Sequence, residues 1–389
     1  MMVQFLQTDI LGTVVWFVIL FVFIIIYPRI MLSQMIWKIE QSARRLEELS
    51  EKANGMCSKR TNANTKDMRE KIDDFTDFFV VEPSSLDPYG VVQKIDQLIR
   101  QTEDRFTEFV DDHASEKSAI ERQQLNYALR ASIGLRQIAK IVRHNVELAK
   151  KFKNLQIAMI IQIQLPIIEK FAESELKGTE CFLNGWPVGD SIGPMVAASL
   201  VDEMIEISPG TMAGHTKIEG RECFVLKAKG PEPHLGRTDE AINKLMKKHS
   251  FARIITIDAG LKLEGEQTGR VAEGVGFAMG GYSQRELIEN TLLPKKKPID
   301  GIIIKVGLFD AIAPMPKEVM DAMPKVKESI IRSVKRVNAK EKVLIIGVGN
   351  SSGIGDNKKA VEEAKNIILK NDKKAKEDEE KEKKKGSWF

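Results

Sequence analysis

The sequence predicts an α/β protein built from an N-terminal transmembrane helix, a mainly helical middle region and a C-terminal three-layer α/β/α domain with a mostly parallel sheet. Three observations support this fold class. A long uncharged run lies near the N-terminus, residues 31–175 follow helical periodicity, and from about residue 178 short apolar runs alternate with helical stretches. Such alternation is typical of βαβ units, whose parallel strands are buried on both faces.

The composition divides the chain of 389 residues into four segments. These are an anchor (residues 1–30), a helical region (31–177), an α/β domain (178–371) and a charged tail (372–389). The tail alternates both signs of charge, so we expect it to be solvated and disordered. The formal net charge of the chain is only +4, and no nucleic-acid partner is therefore expected. The three cysteines lie far apart, which indicates neither a disulfide framework nor a thiolate zinc site.

Residues 10–27, ILGTVVWFVILFVFIIIY, contain no charged side chain. At about 1.5 Å per residue, a helix of this length nearly crosses the hydrocarbon core of a bilayer, which is roughly 30 Å thick. A cleaved signal peptide is the alternative, but no basic residue precedes the run and no small-residue cleavage site follows it. Lysine and arginine begin only after the run, at Arg29. The positive-inside rule then predicts a single-pass anchor in the cell membrane, with the N-terminus outside and the C-terminal domain in the cytoplasm.

Residues 32–49, behind the anchor, carry apolar side chains at heptad spacing: Leu32, Ile36, Ile39, Ala43 and Leu46. This pattern is typical both of a short coiled coil, which would make the protein a homo-oligomer, and of a packed stalk. Residues 155–172 are also strongly apolar, but glutamines and Pro166 interrupt them. For that segment we expect a buried helix rather than a second membrane span.

Two aspartates stand where strands are predicted to end. Asp190 lies in the turn GWPVGDSIGP, after the short apolar run Cys181–Leu183 and before a helix, and Asp258 closes the apolar run of RIITIDAG. Carboxylates at the carboxyl ends of two strands of one sheet can converge on one crevice, where they share a proton, activate water or hold a metal. The alternative is structural, because aspartate is a common helix N-cap and commonly caps loops at strand ends.

Three short motifs carry a resemblance to known proteins. The segments GWPVGDSIGPMVAASL, ISPGTMAGH and ARIITIDAG, in this order, resemble the spore germination protease family, which carries an Asp-x-Leu-Gly-Pro turn, a Ser-Pro-Gly-x-Met loop and an Ile-Asp-Ala-Leu strand end. The related hydrogenase maturation endopeptidases share that fold, and APMPKEVMDAMP is similar to their late helix. The match covers roughly residues 178–337. The whole arrangement resembles an uncharacterised archaeal membrane-protein family of unknown function.

The resemblance implies a phosphorylase/hydrolase-like fold and hydrolysis of a peptide or protein substrate. Asp190 and Asp258 match the two aspartates on which germination protease activity depends, with general acid and base roles on a water molecule. They also match two of the three nickel-site positions of the maturation endopeptidases. The third nickel ligand of that family is a histidine, and the corresponding residues here, 261–291, contain none. No metal ligand set is therefore predicted.

Two glycine-rich loops are candidates for binding an anion on backbone N–H groups. The first, AKGPEPHLGRTDEAI, precedes a helix that Thr238 is expected to cap, and an arginine adds positive charge; the second, VLIIGVGNSSGIGDNKK, follows a buried strand. The candidate residues are Gly230, His234, Gly236 and Arg237 in the first loop and Gly347, Gly349 and Gly353 in the second. A plain surface loop and a tight turn are the structural alternatives.

Together these features predict a membrane-anchored cytoplasmic protein that acts as an aspartate-dependent, peptidase-like hydrolase. Two alternatives stay open. One is a non-enzymatic ligand-binding or scaffold protein on the same fold, because fold does not determine function. The other is a nucleotide- or anion-binding protein that uses the glycine-rich loops. The sequence identifies no cofactor.

Overall fold

The computed structural model describes residues 2–63, 65–81, 83 and 90–386. Within them, the first half of the chain is helical, as the sequence predicts. Its helices are α1 (Met2–Ser58), α2 (Lys66–Phe75), α3 (Val91–His113), α4 (Ala119–Phe152) and α5 (Leu155–Asn184). Residues 1–52 and 134–173 form one compact unit, and residues 53–133 and 174–389 form another.

The run Cys181–Leu183, predicted as the first strand of the sheet, belongs to the end of α5 instead. All three of its side chains are buried, in a cluster with α4 residues such as Leu125 and Leu129. A short apolar run has no visible period, so a buried strand and the end of a buried helix look alike in sequence. The correction changes what precedes Asp190, which follows a helix and not a strand.

The heptad positions in α1 are covered within the chain itself. Ile39, Ala43 and Leu46 are fully buried. Within the first compact unit, ion pairs flank these positions: Arg143 of α4 contacts Glu47 at 2.7 Å, and Lys150 of α4 contacts Glu40 at 2.5 Å. The apolar seam is thus buried in a single copy of the chain, as in a packed stalk.

Two helices are long and apolar enough to cross a membrane, by length and composition, among the described residues. Residues 14–27 of α1 expose their apolar side chains, with none of the most apolar stretch of this helix buried. In α5 only 22% of the most apolar stretch is buried, and Ile163 is 74% exposed. The expectation that residues 155–172 form a buried helix is therefore wrong for the outward face of this segment.

The second unit contains a seven-stranded mixed sheet. Its strands are β1 (Met204–Ser208), β2 (Thr211–Ile218), β3 (Arg221–Ala228), β4 (Phe251–Leu261), β5 (Val271–Val275), β6 (Ile299–Val306) and β7 (Lys342–Gly347). They are ordered β1-β2-β3-β7-β4-β6-β5. The central strands β3, β7, β4 and β6 are parallel, whereas β1, β2 and β5 pair antiparallel. The prediction of a mostly parallel sheet therefore holds for the centre of the sheet only.

Helices cover both faces of the sheet. One face packs against α6 (Ile192–Ala198), α9 (Lys317–Asp321), α10 (Met323–Lys335) and α11 (Lys358–Gly386). The other face packs against α7 (Thr238–Lys248) and α8 (Tyr282–Leu292). The C-terminal domain thus has the three layers that the sequence predicts.

Helix α11 continues into the segment 372–389, which the charge pattern predicts to be disordered. The helix is described as far as Gly386, and residues 387–389 lie outside the described part of the chain. Pairs of opposite charge one helical turn apart follow its exposed side, including Lys376 with Asp372 at 2.7 Å and Lys381 with Asp378 at 3.2 Å. Such pairs stabilise a solvent-exposed helix by a few tenths of a kcal/mol each. Alternating charge in this segment is therefore a helical surface pattern.

Candidate functional site

The strands β4 and β7 are neighbours at the centre of the sheet, and the chain leaves them toward opposite faces. The helix after β7 is α11, on the face that carries α6, whereas the next helix after β4 is α8, on the other face. At such a switch point a crevice forms outside the carboxyl ends of the strands, and α/β domains bind ligands there.

Two glycines allow the first turn of α6 to lie directly on these strand ends. A Cβ atom on Gly193 would come within 2.0 Å of the Val348 carbonyl oxygen and 2.5 Å of the Ile257 carbonyl oxygen. From the other side, a Cβ atom on Gly347 would come within 2.3 Å of the Gly193 carbonyl oxygen. This close approach brings the turn before α6, with its aspartate, to the carboxyl end of β4.

Asp190 lies in the single 3-10 turn Gly189–Ser191 between α5 and α6. Its N–H donates to the Ala311 carbonyl oxygen at 2.8 Å, and its carboxylate Oδ2 accepts the N–H of Asn350 at 2.7 Å. The N-cap residue of α6 is Ser191, whose side chain makes no capping bond to the helix. The carboxylate of Asp190 is therefore bonded to a distant loop and not to the helix that it precedes.

Asp258 lies near the carboxyl end of β4, opposite Ile303 of β6. Its side chain is 8% exposed. Burial, followed by the negative charge of Asp190, raises the pKa of Asp258 to about 8. Burial also raises the pKa of Asp190, while the N–H of Asn350 opposes that shift. The charge of Asp190 thus acts on the carboxyl group of Asp258, as between two nearby acidic groups.

Among the described residues there is no group of three or more histidine, cysteine, aspartate or glutamate side chains placed to hold a metal ion. Each carboxyl group of the pair accepts a backbone N–H, from Asn350 on Asp190 and from Ala259 on Asp258.

The two glycine-rich loops lie against each other. The N–H of Ser351 donates to the His234 carbonyl oxygen at 3.0 Å, and the N–H of Gly353 donates to the Pro231 carbonyl oxygen at 2.8 Å. Gly349, with φ +124°, lies against Asp190, since a Cβ atom there would be 2.1 Å from the Asp190 carbonyl oxygen. The segment 347–356 is therefore a bridge between the aspartate turn and the first glycine-rich loop.

A buried ion pair holds this bridge in place. Lys227 of β3 is 1% exposed, and its ammonium group donates to Asp356 Oδ1. Burial lowers the pKa of Lys227, and the charge of Asp356 opposes that shift. The N–H of Gly230 donates to the same carboxylate oxygen at 3.1 Å. The predicted anion-binding amide of Gly230 thus binds a carboxylate of the protein itself.

Arg237, predicted to add positive charge to an anion site, is 6% exposed. Its guanidinium contacts Asp96 at 2.9 Å and Glu103 at 3.4 Å, both on α3. The helix that follows begins at Thr238, so Arg237 and not Thr238 occupies the N-cap position, without a side-chain capping bond. The charge of Arg237 is therefore balanced by carboxylates within the protein.

A polar cavity of about 200 Å³ lies beside the first glycine-rich loop. Its lining includes His234 and Gly236, which the sequence singles out, together with Gln123, Asn126 and Arg130 of α4. Burial, followed by the charge of Lys229, lowers the pKa of His234 to about 4, so the imidazole is neutral at physiological pH. The cavity joins residues that are more than 100 positions apart in sequence.

Arg130 is the cation of this cavity without a carboxylate partner among the described residues. Its Nε donates to Asn126 Oδ1 at 3.0 Å, and its guanidinium lies over the ring of Tyr127, 4.6 Å from the centroid. A guanidinium stacked on an aromatic ring keeps its edge N–H groups available for a planar anion. Nothing in the helical pattern around Arg130 marks it, so sequence reasoning did not find it.

We expect Arg237→Ala to destabilise the second unit by about 2–4 kcal/mol, because it leaves two carboxylates without their buried partner. Denaturant unfolding of the purified chain measures this loss. Arg105→Ala is the matched control, since Arg105 is 67% exposed and pairs with Glu108; its loss costs about 0.5 kcal/mol or less. Equal stability of the two variants would show that the Arg237 ion pairs contribute nothing.

The fold and the site define a protein with a helical region, whose N-terminal helix is long and apolar enough to cross a membrane, and an α/β domain with a carboxyl pair at the centre of a mixed sheet. Comparison with family models agrees with this division. The chain belongs to the DUF1512 family, which is described as of unknown function: the N-terminal domain of the family matches residues 13–185 and its C-terminal domain matches residues 188–355. The boundary between the two domains of the family thus falls just before the turn that contains Asp190.

No curated protein matches the chain. Among solved structures, a proteasome-assembly chaperone homologue from Mycobacterium tuberculosis is 13% identical over 40% of this chain and 92% of that one, with a TM-score of 0.26. A protein of unknown function from Corynebacterium glutamicum is 14% identical over 44% of this chain and 67% of that one, with a TM-score of 0.22. At these TM-scores the likeness carries no argument about function.

Proposed function

We propose that this chain is a membrane-anchored hydrolase in which Asp190 and Asp258 act together on a water molecule, with a peptide bond as the substrate. One observation carries the proposal. The two carboxyl groups, from separate elements, repel each other at the switch point of the sheet, and the pKa of Asp258 is raised to about 8. Such pairs are typical of acid–base catalysis, since one carboxyl group keeps its proton while the other ionises.

The environment assigns the two roles. Burial raises the pKa of both groups, and the charge of Asp190 raises that of Asp258 further, whereas the N–H of Asn350 opposes the shift of Asp190. We assign the ionised form to Asp190 and the protonated form to Asp258. The carboxylate of Asp190 then accepts a proton from water as the water oxygen bonds to the carbonyl carbon. Asp258 donates its proton to the carbonyl oxygen. Transfer of the proton from Asp190 to the amide nitrogen then breaks the C–N bond, while the Asp258 carboxylate takes back a proton from one of the two hydroxyl groups. A carboxylic acid and an amine are released, and both carboxyl groups return to their starting forms.

The choice of a peptide bond rests on the motif resemblance. The turn with Asp190, the loop ISPGTMAGH and the strand end with Asp258 stand in the order found in the germination proteases. In this protein the loop is the β1–β2 hairpin, with its turn at Pro209–Gly210, and it lies next to the polar cavity, which Gly210 also lines. The three motifs therefore belong to one region of the domain.

The membrane anchor is the N-terminal part of α1. Its residues 14–27 expose their apolar side chains. An apolar surface of this size on an isolated helix is unfavourable in water. The basic residues that follow, from Arg29 onward, orient the N-terminus outward and the α/β domain toward the cytoplasm. The hydrolase would then act on cytoplasmic or membrane-associated chains.

The polar cavity is a subsite for an acidic group of the substrate. Asn350 donates to Asp190, and the next residue, Ser351, donates to His234 at the edge of the cavity. The cavity is therefore one loop away from the carboxyl pair, and Arg130 supplies the charge for a carboxylate. The same cavity favours the alternative function, a binding protein for small carboxylates that hydrolyses nothing.

Hydrolysis by the purified full chain distinguishes these functions. Incubation with a library of unfolded peptides should yield new N-termini, read by mass spectrometry, with acidic residues enriched at one position near the cut. Asp190→Asn and Asp258→Asn should each abolish cleavage, because neither amide can exchange a proton with water in these roles.

Asp321→Asn is the matched control, since Asp321 is exposed and pairs with Lys317 one helical turn away. It should cleave as the unaltered chain does. No cleavage by the unaltered chain, combined with saturable binding of an acidic peptide that Arg130→Ala removes, would replace the hydrolase by the binding protein.

A further inference from the structure

Helix α5 carries mainly apolar side chains on its outer face as well as its inner face over its first half, with Gln156 and Gln164 as exposed polar residues among them. Its inner face buries Ala158, Ile161 and Leu165, which are 0%, 8% and 5% exposed. Its outer face exposes Ile160 and Ile163, at 58% and 74%, together with Met159 and Ile167. A helix in contact with water on one side normally carries polar residues there. The outer face of α5 therefore requires an apolar partner.

The turn between α4 and α5 adds a basic and aromatic rim to this face. Phe152 ends α4 and is 62% exposed. Lys151 and Lys153 flank it and are exposed as well. Asn154 then caps the start of α5, since its side-chain Oδ1 accepts the N–H of Gln156 at 2.8 Å. An exposed apolar helix face beside lysines and a phenylalanine is typical of segments that lie in the interface of an anionic membrane.

Ion pairs within the first compact unit show where this turn lies along α1. Lys150 near the end of α4 contacts Glu40 at 2.5 Å, and Arg143, two turns earlier, contacts Glu47 at 2.7 Å. Helix α4 thus runs antiparallel to α1 and ends beside it, on the side of the anchor. The two-residue turn sends α5 back parallel to α1.

A second contact shows beside which part of α1 the start of α5 lies. Arg45 of α1 contacts Glu169 at 3.7 Å and Glu173 at 2.6 Å. The start of α5 lies 14 residues before Glu169, roughly 21 Å nearer the N-terminus of α1 at about 1.5 Å per residue. The same distance from Arg45 along α1 reaches the neighbourhood of Arg29, where the apolar run of the anchor ends. The start of α5 is therefore level with the membrane surface if residues 10–27 span the bilayer.

We propose that residues 151–167, the α4–α5 tip, lie in the interface of the membrane that holds the anchor, with the outer face of α5 among the lipid headgroups and upper acyl chains. This inference rests on the proposed anchoring of α1. The tip does not span the bilayer, because its continuation in α5 is paired through Glu169 and Glu173 with Arg45 of α1. The two lysines select anionic lipid.

Nitroxide labels on the full chain, reconstituted in vesicles of phosphatidylcholine and phosphatidylglycerol, test this placement. The native cysteines Cys57, Cys181 and Cys223 are buried, so labels attach to introduced cysteines. Ile163→Cys and Phe152→Cys should show collision with oxygen and protection from a water-soluble nickel chelate, at shallow depth. Gln137→Cys, an exposed position of α4 far from the tip, should show the reverse.

Leu20→Cys reports on the anchor separately. If the label is in lipid at position 20 but in water at position 163, the placement of the tip is wrong and the anchoring stands. If both labels are in water, the anchoring is wrong as well. A label at position 163 in the centre of the bilayer, or shielded from both probes by a second copy of the chain, would also overturn the placement of the tip. Replacing Lys151 and Lys153 by glutamate should weaken the affinity of the tip for anionic vesicles by roughly five-fold or more per lysine. The label at position 163 reports this loss as less contact with lipid.

Discussion

Asp258→Asn is expected to make the chain more stable at alkaline pH and to reduce the fall in its stability between about pH 4 and pH 8. The folded state raises the pKa of Asp258 from 3.8 to about 8. Between these values the folded chain holds a proton that the unfolded chain has released, so the free energy of unfolding decreases as the pH rises. Asparagine has no proton to lose, so this contribution disappears. The contribution of Glu175, whose pKa burial raises to about 7, stays in the variant.

The effect is large because each pH unit between the unfolded and folded pKa values of Asp258 changes the free energy of unfolding by about 1.4 kcal/mol. Denaturant unfolding at pH 5 and pH 8.5 should show a loss of stability that is larger by up to about 4 kcal/mol in the unaltered chain than in the variant. Asp321→Asn, at an exposed position, controls for the loss of one acidic group. A parallel decrease in the variant and the unaltered chain would show that Asp258 ionises normally and that the pair is not coupled.

Gly193→Ala is expected to destabilise the chain by about 3 kcal/mol or more and to abolish any activity of the carboxyl pair. The new Cβ atom would lie 2.0 Å from the Val348 carbonyl oxygen and 2.5 Å from the Ile257 carbonyl oxygen. Both are backbone carbonyl oxygens of neighbouring strand ends, and the N–H of Val348 donates to the Ile257 carbonyl oxygen at 2.8 Å. Neither oxygen can therefore move away without separating the two strand ends. The loss of stability is measured by thermal unfolding.

Gly274→Ala provides the comparison. Gly274 lies in the edge strand β5, with no atom within 4 Å of a Cβ and no positive φ. Its replacement should be neutral or slightly stabilising, because alanine restricts the unfolded chain more than glycine does. A stable and active Gly193→Ala variant would contradict the close packing of α6 on β4 and β7.

The central strands were predictable because they are buried on both faces and therefore read as continuous apolar runs. Of the five short apolar runs after residue 178, four lie in strands β3, β4, β6 and β7, namely residues 223–226, 254–257, 302–306 and 343–346. The edge strands were not predictable in the same way. In β5 three of five residues are exposed, and in β1 two of five are, so neither has an apolar run to mark it. Because β1 and β5 pair antiparallel with their neighbours, the antiparallel edges of the sheet could not be predicted either.

The candidate site shows the same limit. Asp190 stands in a turn rich in glycine and proline and Asp258 closes a buried apolar run, so the sequence points to both. Asn350 contacts Asp190 from 160 positions further along the chain, and Arg130 lines the polar cavity beside His234, which is about 100 positions away from it. One acts through its backbone N–H and the other lies in an ordinary helical pattern, so only the folded chain assigns them.

The bridge of residues 347–356 is fixed before any ligand arrives. Ser351 and Ser352 donate their hydroxyl groups to backbone carbonyl oxygens, including that of Trp186 at 2.9 Å, and Lys227 holds the far end through Asp356. Ordering a loop costs about 1–2 kcal/mol of conformational entropy per residue. For ten residues that amounts to roughly 10 kcal/mol or more, a cost that this protein meets on folding. A substrate that reaches Asp190 therefore keeps the full free energy of its contacts for binding and for the reaction.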